Sequence, residues 1–347
     1  MFDLNDHDLF KKELSTLELN STSLLDRFTE SEQAFDYLIE KGYDNWIVTF
    51  SGGKDSTTVL VLALEYALRH PDTVKRMDVV YSDTLIEIPS IHQFAKSILR
   101  FLKKFKREKG LNVITHVTSP AMDERFWVKT LGYGYPPPHQ MFRWCTRRLK
   151  IEPVEERLKK YFKKDQTAIL TGVRYGESRS RDERLNSSCS RGGECGQGVW
   201  FQHSEKLNVG YLAPIINWKS CEVWDFLAGF APRWGYPVLD IQEVYNGQET
   251  RFGCWMCTVV KQDKAMEKTI AQDKWAHLKP MADFRNEVWD STRDPKTRIK
   301  KKDGTVGKLR LNIRKNLMTK LLEVQSEVGM ELISTREIAH IKRIWNK

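Results

Sequence analysis

No stretch of this chain stays apolar long enough to cross a bilayer. Its longest purely apolar run, Val59 to Leu64, falls far short of the roughly 20 residues that a spanning helix needs. The start, Met1-Phe-Asp-Leu-Asn-Asp-His-Asp8, lacks the basic region of a secretory leader, so a cytoplasmic location without a membrane partner is expected. Cysteine is scarce. Six in 347 residues do not make a disulfide scaffold, and a Cys-x-x-Cys in such a chain points to metal or redox chemistry instead. Acidic residues are outnumbered 46 to 56 by Lys and Arg, and the resulting charge of +10 favours an anionic partner such as nucleic acid. What remains, 40% hydrophobic and 29% charged, suits one large α/β domain with an appendage.

The stretch Asp44-Asn-Trp-Ile-Val-Thr-Phe-Ser-Gly-Gly-Lys-Asp-Ser-Thr-Thr58 reads as a buried strand, a glycine turn and a helix start. Trp46, Ile47, Val48 and Phe50 suit a parallel strand covered on both faces, and Thr57 to Leu68 is mostly apolar over a helical length. Between them, Gly52 and Gly53 let backbone approach a phosphate, the helix N-terminus offers N–H groups, and Lys54 adds a mobile positive charge. A Walker loop is absent, because the places where it needs Gly and Ser or Thr hold Val48 and Asp55. The hexapeptide Ser51-Gly52-Gly53-Lys54-Asp55-Ser56 resembles the pyrophosphate loop of the ATP α-hydrolases, a superfamily of adenylating enzymes and sulfonucleotide reductases. The resemblance implies a doubly wound, mostly parallel α/β sheet of the adenine nucleotide α-hydrolase-like (HUP) type. It also implies that residues Ser51 to Ser56 hold ATP, with Lys54 and Asp55 catalytic.

Met77 to Tyr81 is expected as a second strand running into Ser82-Asp83-Thr84. Ligands of doubly wound sheets sit at the carboxyl ends of strands, which places Asp83 among the nucleotide-binding candidates. Asp83-Thr84, Glu87 and Pro89 match an Asp-Thr-x-x-Glu-x-Pro arrangement of reductase-like proteins. Residues 91–109 read as a basic amphipathic helix, residues 112–117 as a third strand, and Gln166 to Gly172 as a further buried strand. Thr171-Gly172-Val173-Arg174 resembles the segment with which that family holds its nucleotide, so Thr171, Gly172 and Arg174 join the set, Arg174 as a bidentate phosphate partner. Ser220 is expected to cap a helix in an element resembling the one that closes the α/β domain of relatives. The division expected is an N-terminal helical segment (1–40), an ATP pyrophosphatase and reductase-like domain (41–260), and a helical basic region (261–347).

Cys145 stands among Arg143, Arg147, Arg148 and Lys150, surroundings expected to depress its pKa and favour the thiolate. The Cys254–Cys257 spacing serves redox pairs, zinc ribbons and iron-sulfur clusters alike. Together, Cys145 and the later Cys-Trp-Met-Cys resemble the ligand layout of iron-sulfur sulfonucleotide reductases, although those carry a Cys-Cys pair where this chain has Trp144-Cys145. That layout implies Cys145, Cys254 and Cys257 around a [4Fe-4S] cluster, with Cys195, Cys189 or a small molecule in fourth place; zinc suits the same thiolates. Glu194-Cys195-Gly196 is similar to the reductases' catalytic tail but lies mid-chain, and the sequence ends Ile344-Trp-Asn-Lys347. Between Ser291 and Lys320, eleven Lys and Arg face two Asp. Within that stretch Lys300 to Lys302, Lys308, Arg310, Arg314 and Lys315 are expected to hold a DNA backbone, docking of a protein partner being the alternative.

Taken together, Phe50 to Thr57, Arg143-Trp-Cys-Thr-Arg-Arg-Leu-Lys-Ile-Glu-Pro153, Thr171 to Arg174 and Arg251-Phe-Gly-Cys-Trp-Met-Cys-Thr-Val-Val260 resemble the DNA phosphorothioation proteins of the DndC and SspD type. That resemblance implies hydrolysis of ATP with Mg²⁺ to AMP and pyrophosphate, and sulfur arriving as a persulfide from a cysteine desulfurase. It further implies replacement of a non-bridging oxygen in the DNA backbone by sulfur, with other phosphorothioation proteins as partners in a restriction-modification setting. Cys145 is the nucleophile candidate. Reduction of adenylyl sulfate or its 3′-phosphate, and tRNA thiolation, are the competing readings.

Overall fold

A computed structural model of the chain describes residues 21–159, 166–176, 201–204, 208–246, 252–302 and 304–346. These fall into two compact units. The first gathers Met1–Tyr81, Gln93–Val117 and Leu158–Glu243, and the second Ser82–His92, Thr118–Arg157 and Val244–Lys347.

The first unit is built on a six-stranded sheet. Its strands are β1 (Asn45–Phe50), β2 (Arg76–Ser82), β3 (Val113–Thr118), β4 (Thr167–Leu170), β5 (Phe201–Ser204) and β6 (Val209–Leu212), ordered β3-β2-β1-β4-β6-β5. β1 pairs in parallel with β2 and β4, β4 pairs in parallel with β6, and β5 closes the edge antiparallel to β6. Chain order reverses at β1, so the loop after β1 opens at the switch point where such sheets take ligands. The result is a mostly parallel sheet flanked by helices, as the sequence leads one to expect.

The strands are as apolar as their burial demands: Trp46, Ile47, Val48 and Phe50 are at most 2% exposed. Helices α1 (Ser21–Glu40) and α2 (Lys54–Arg69) cover the sheet, with Phe35 stacked on Trp46 at 5.0 Å and Tyr66 packed against both. Each such side chain contributes about 1.5–3 kcal/mol of burial. α1 runs unbroken through Ser31, whose Oγ donates to Pro214 O at 2.7 Å.

The second unit is helical apart from one hairpin. It holds α3's first turn (α3 is Pro89–Lys109), π-helical turns at Val128–Gly132 and Thr146–Ile151, and most of α4 (Glu152–Leu158). Beyond α5 (Ser220–Asp225) and α6 (Asp240–Tyr245), its later part comprises α7 (Lys264–Ile270), α8 (Lys279–Ser291), the antiparallel pair β7 (Arg298–Lys300) and β8 (Val306–Leu309), α9 (Leu311–Val328) and α10 (Thr335–Trp345). Trp127, Trp255 and Phe284 form its aromatic centre, with ring centroids 5.9–6.4 Å apart.

Candidate active site

In the first unit the turn after β1 is shaped by its own hydroxyls. Ser56 Oγ donates to Gly53 O at 3.0 Å and accepts from the Ser51 N–H at 3.2 Å, while Ser51 Oγ accepts from the Gly53 N–H at 3.3 Å. Gly52 has φ 78, a left-handed conformation that a β-carbon would strain. The amides of Lys54, Asp55 and Ser56 lie at the N-terminus of α2, before its first intrahelical hydrogen bond, where an anion is favoured.

Lys54, expected as a mobile positive charge, is only 6% exposed. Its Nζ lies 3.0 Å from Asp55 Oδ1, and the same oxygen accepts from Arg174 Nε at 2.5 Å. A second Arg174 nitrogen donates to Ser220 Oγ at 3.3 Å, so the hydroxyl expected to cap α5 orients the arginine instead. Lys219 precedes α5, and its N–H donates to Glu222 Oε2 at 2.5 Å. Gly172 is held by space. A β-carbon there would come within 2.8 Å of the Ser56 amide nitrogen and 2.9 Å of the Asp55 carbonyl carbon. Thr171 donates from both its N–H and its hydroxyl to Leu212 O, fixing the β4 end beside β6. Ser51 to Ser56, Thr171, Gly172 and Arg174 are thereby brought together.

The second unit contains Asp83 and all three cysteines named as ligands within the described residues. Asp83 Oδ1 accepts from the Leu85 N–H at 2.9 Å, and Leu85 takes φ 66, a strained conformation for a branched side chain. This turn aligns Ile86 and Glu87 with the Cys254 loop: the Trp255 N–H donates to Ile86 O at 3.0 Å, and Glu87 bridges to Cys254 antiparallel. Thr84 Oγ1 donates to Glu87 Oε1 at 2.8 Å and lies 3.5 Å from Cys254 Sγ. Lys150 Nζ is 3.3 Å from that same Glu87 oxygen. Cys254 and Cys257 close a turn through the Cys257 N–H to Cys254 O, 2.9 Å.

The electrostatics differ from the expectation for Cys145. Burial raises its thiol pKa, with the Cys257 sulfur adding to the rise. Two of the basic side chains also turn elsewhere, Arg147 pairing with Glu152 and Arg148 with Glu124. Burial, and then the Glu87 charge, push Cys254 up to about 12. Lys150 is raised as well, chiefly by Glu87 and further by Cys254 and Cys145. The three sulfurs thus share one neighbourhood with Lys150. Three thiols fit the chemistry of an iron-sulfur or zinc site, but among the described residues no set of three or more His, Cys, Asp or Glu side chains is arranged to hold an ion. Cys195 and Cys189 lie outside the described residues.

One further residue shapes the cysteine loop, in the Phe284-Arg285 segment that the family resemblance includes. Arg285 on α8 is 1% exposed and donates to Cys257 O at 2.9 Å, to Lys261 O at 2.6 Å and to Val260 O, pinning the chain leaving the Cys-x-x-Cys. A lone arginine in the apolar phase of an amphipathic helix was the available signal. Of the basic residues expected on DNA, Lys300, Lys301, Lys302, Lys308, Arg310 and Lys315 are exposed. Arg314 is turned inward: it donates to Leu131 O and Gly132 O, and burial lowers its pKa. Among the described residues no helix is long and apolar enough to cross a membrane.

The phosphoadenosine phosphosulfate reductase domain model matches residues 45–260. An uncharacterized protein of Methanocaldococcus jannaschii is 28% identical over 71% of this chain and 48% of its own length. A second from the same organism, also 28% identical, is covered over 36% of its length, so the chain spans half or less of the curated relatives it matches. The crystal structure of phosphoadenylyl-sulfate reductase from Candida auris, a phosphate complex, is similar with TM-score 0.39 and 12% identity, covering 74% of this chain and 97% of that one. The U34-tRNA thiolase NcsA of Methanococcus maripaludis, with its [4Fe-4S] cluster, is similar with TM-score 0.38 and 14% identity, covering 82% and 80%.

Proposed function

The chain belongs to the phosphoadenosine phosphosulfate reductase domain family, and from that premise we propose that it splits ATP to AMP and pyrophosphate in order to adenylate a DNA backbone phosphate for sulfur insertion. The observation that carries the first half is the loop Ser51–Ser56, with Lys54 and Arg174 meeting at Asp55 beside the start of α2. The motifs shared with phosphorothioation proteins, from Arg143 to Pro153 and across Cys254–Cys257, support the second.

A phosphodiester oxygen is a poor leaving group until it is esterified. In the activation step a non-bridging backbone oxygen attacks the α-phosphorus of ATP, forming a P–O bond as the bond to the β-phosphate oxygen breaks. Lys54, Arg174 and the α2 amides offset the charge of departing pyrophosphate, and Mg²⁺ enters as part of the ATP complex. In the sulfur step the terminal sulfur of a persulfide on Cys145, Cys254 or Cys257 attacks the activated phosphorus, and AMP leaves with the former backbone oxygen. A second thiol then cleaves the S–S bond, leaving sulfur on phosphorus and a disulfide to be reduced by an external thiol. A cysteine desulfurase would supply the persulfide. Exposed Lys300 to Lys302, Lys308 and Arg310 would hold the DNA backbone. If Cys145, Cys254 and Cys257 instead held a [4Fe-4S] cluster, it would supply a sulfur-binding iron in place of the cysteine persulfide, and zinc would suit the same thiolates.

The family match itself favours a second reading, reduction of adenylyl sulfate. The deciding experiment incubates DNA with the protein, ATP, Mg²⁺ and a desulfurase-generated persulfide, then digests it and seeks phosphorothioate dinucleotides by mass spectrometry. ATP-dependent backbone sulfur is expected. Sulfite released from adenylyl sulfate, with no sulfur in DNA, would select the reductase reading, and thiolated tRNA nucleosides would select tRNA thiolation.

A further inference from the structure

The second unit carries a cleft of about 280 Å³ that the sequence motifs do not account for. Its walls include Pro137, His139, Thr258, Trp289, Arg293 and Arg298. That size is at the small end of ligand pockets, which run from roughly 300 Å³ upward. No carboxylate among the described residues lines it.

Its polar groups are unbalanced toward donors. Trp289 Nε1 is buried without a hydrogen-bond partner. Arg293 is exposed, its guanidinium sits 3.9 Å over the Trp289 ring, and one nitrogen donates to Thr258 O at 3.1 Å. Arg298 gives its Nε to Gly307 O at 2.6 Å. Burial lowers the Arg298 pKa, and among the described residues no carboxylate pairs with it. Buried donors usually have partners, and an orphan indole N–H beside two arginines asks for an acceptor-rich anion.

We infer that this cleft binds a nucleotidyl phosphate, with Arg293 and Arg298 at the phosphate, Trp289 Nε1 donating to an acceptor of the same nucleotide, and the proline wall against its base or sugar. Stacking on the Trp289 ring holds the Arg293 guanidinium in one plane, with its remaining N–H donors set for a phosphate. The phosphate of a polynucleotide is favoured over an acidic peptide because β7 runs from Arg298 to the exposed Lys300 and is followed by the exposed Lys301 and Lys302, a run of positive charge that a polyanion can follow. Thr258 directly follows Cys257, so the cleft adjoins the cysteine loop in sequence and, through Thr258 Oγ1 to Pro138 O at 2.7 Å, in structure. The inference deepens the DNA reading by giving the strand an anchoring point.

The test measures binding of a fluorescent single-stranded oligonucleotide to the full chain without ATP, with AMP and a poly-glutamate peptide as competitors. Trp289→Phe keeps the ring and removes the N–H. Arg293→Gln and Arg298→Gln each remove one charge, and melting curves verify that each variant is folded. The expected result is at least fivefold weaker binding in folded variants, with each Arg variant flattening the salt slope by about 0.7 on a log–log plot. AMP competition that is lost in the same variants would identify a free nucleotide as the source; binding of the oligonucleotide alone would identify a polynucleotide, and either supports the cleft. Unchanged affinity in any two folded variants, or equal displacement by poly-glutamate, would overturn it. Because ATP is absent, this result is separate from whether the protein makes pyrophosphate or inserts sulfur.

Discussion

Arg174 Nε donates to Asp55 Oδ1 across 2.5 Å, and Lys54 Nζ meets the same oxygen at 3.0 Å. One carboxylate therefore gathers two cations from the β1 and β4 ends of the sheet. The three side chains are 6–18% exposed, so their mutual attraction is weakly screened by solvent. A polyphosphate arriving at the loop would compete with Asp55 for both cations.

Lys54→Ala should therefore lower pyrophosphate release by at least about a hundredfold, the size seen when one transition-state donor is removed. Arg174→Lys should be impaired too, because an ammonium cannot reach Asp55 and Ser220 together in the guanidinium's geometry. Steady-state rates with a pyrophosphate-coupled assay check both; wild-type turnover in Lys54→Ala would remove the loop from the reaction.

Gly172→Ala tests close packing rather than charge. The added carbon would lie 2.8 Å from the Ser56 nitrogen, too near for any side chain, and backbone must move. A loss of about 1–3 kcal/mol in stability is expected, with ATP binding weakened further because the displaced atoms belong to the loop. Denaturant melts and ATP titration separate the two effects.

Replacing Arg285 should loosen the cysteine loop. Arg285→Leu leaves the carbonyls of Cys257, Val260 and Lys261 without their donor, at a cost of about 3 kcal/mol, and Arg285→Lys should recover part of it. Faster reaction of Cys257 with a thiol reagent would accompany the loss. Unchanged thiol reactivity in Arg285→Leu would show that the staple does not govern the loop.

Glu65 on α2 gives a pH signature. Burial raises its pKa above the ordinary 4.5, while Tyr236 Oη donates to its Oε1 at 2.7 Å and opposes the rise. The folded state then holds the proton more tightly than the unfolded chain, so stability falls as pH rises from 4.5 through the folded pKa. Glu65→Gln, which keeps the acceptor for Tyr236, should melt higher than the parent at pH 8 and match it near pH 4. Parallel melting curves at both pH values would refute the assignment if they showed the same difference.

Much of the first unit was legible in the chain. The apolar run Trp46–Phe50, two glycines and the helix that follows announce strand, turn and helix because each residue type satisfies one local demand. The observed strand, Asn45–Phe50, and helix, Lys54–Arg69, follow that reading. Strands β5 and β6 escaped notice, since Phe201–Ser204 and Val209–Leu212 are four residues each and carry little periodicity. The β7–β8 hairpin escaped for a related reason: its residues are mostly Lys, Arg and Gly, and pairing across the turn, not local preference, makes them strands. At the site, residue types were readable while partners were not. Nothing in Cys145's basic setting says that Arg147 and Arg148 turn to Glu152 and Glu124, or that Lys54 is buried against its neighbour.

The most direct test of the account is the identity of the products made from ATP. With ATP labelled separately at the α and γ phosphates, in the presence of DNA, Mg²⁺ and a desulfurase-generated persulfide, the α label should appear in AMP and the γ label in pyrophosphate, and both should vanish in Lys54→Ala. Label recovered as ADP and orthophosphate would contradict the proposed cleavage between the α and β phosphates, and with it the adenylation of any backbone.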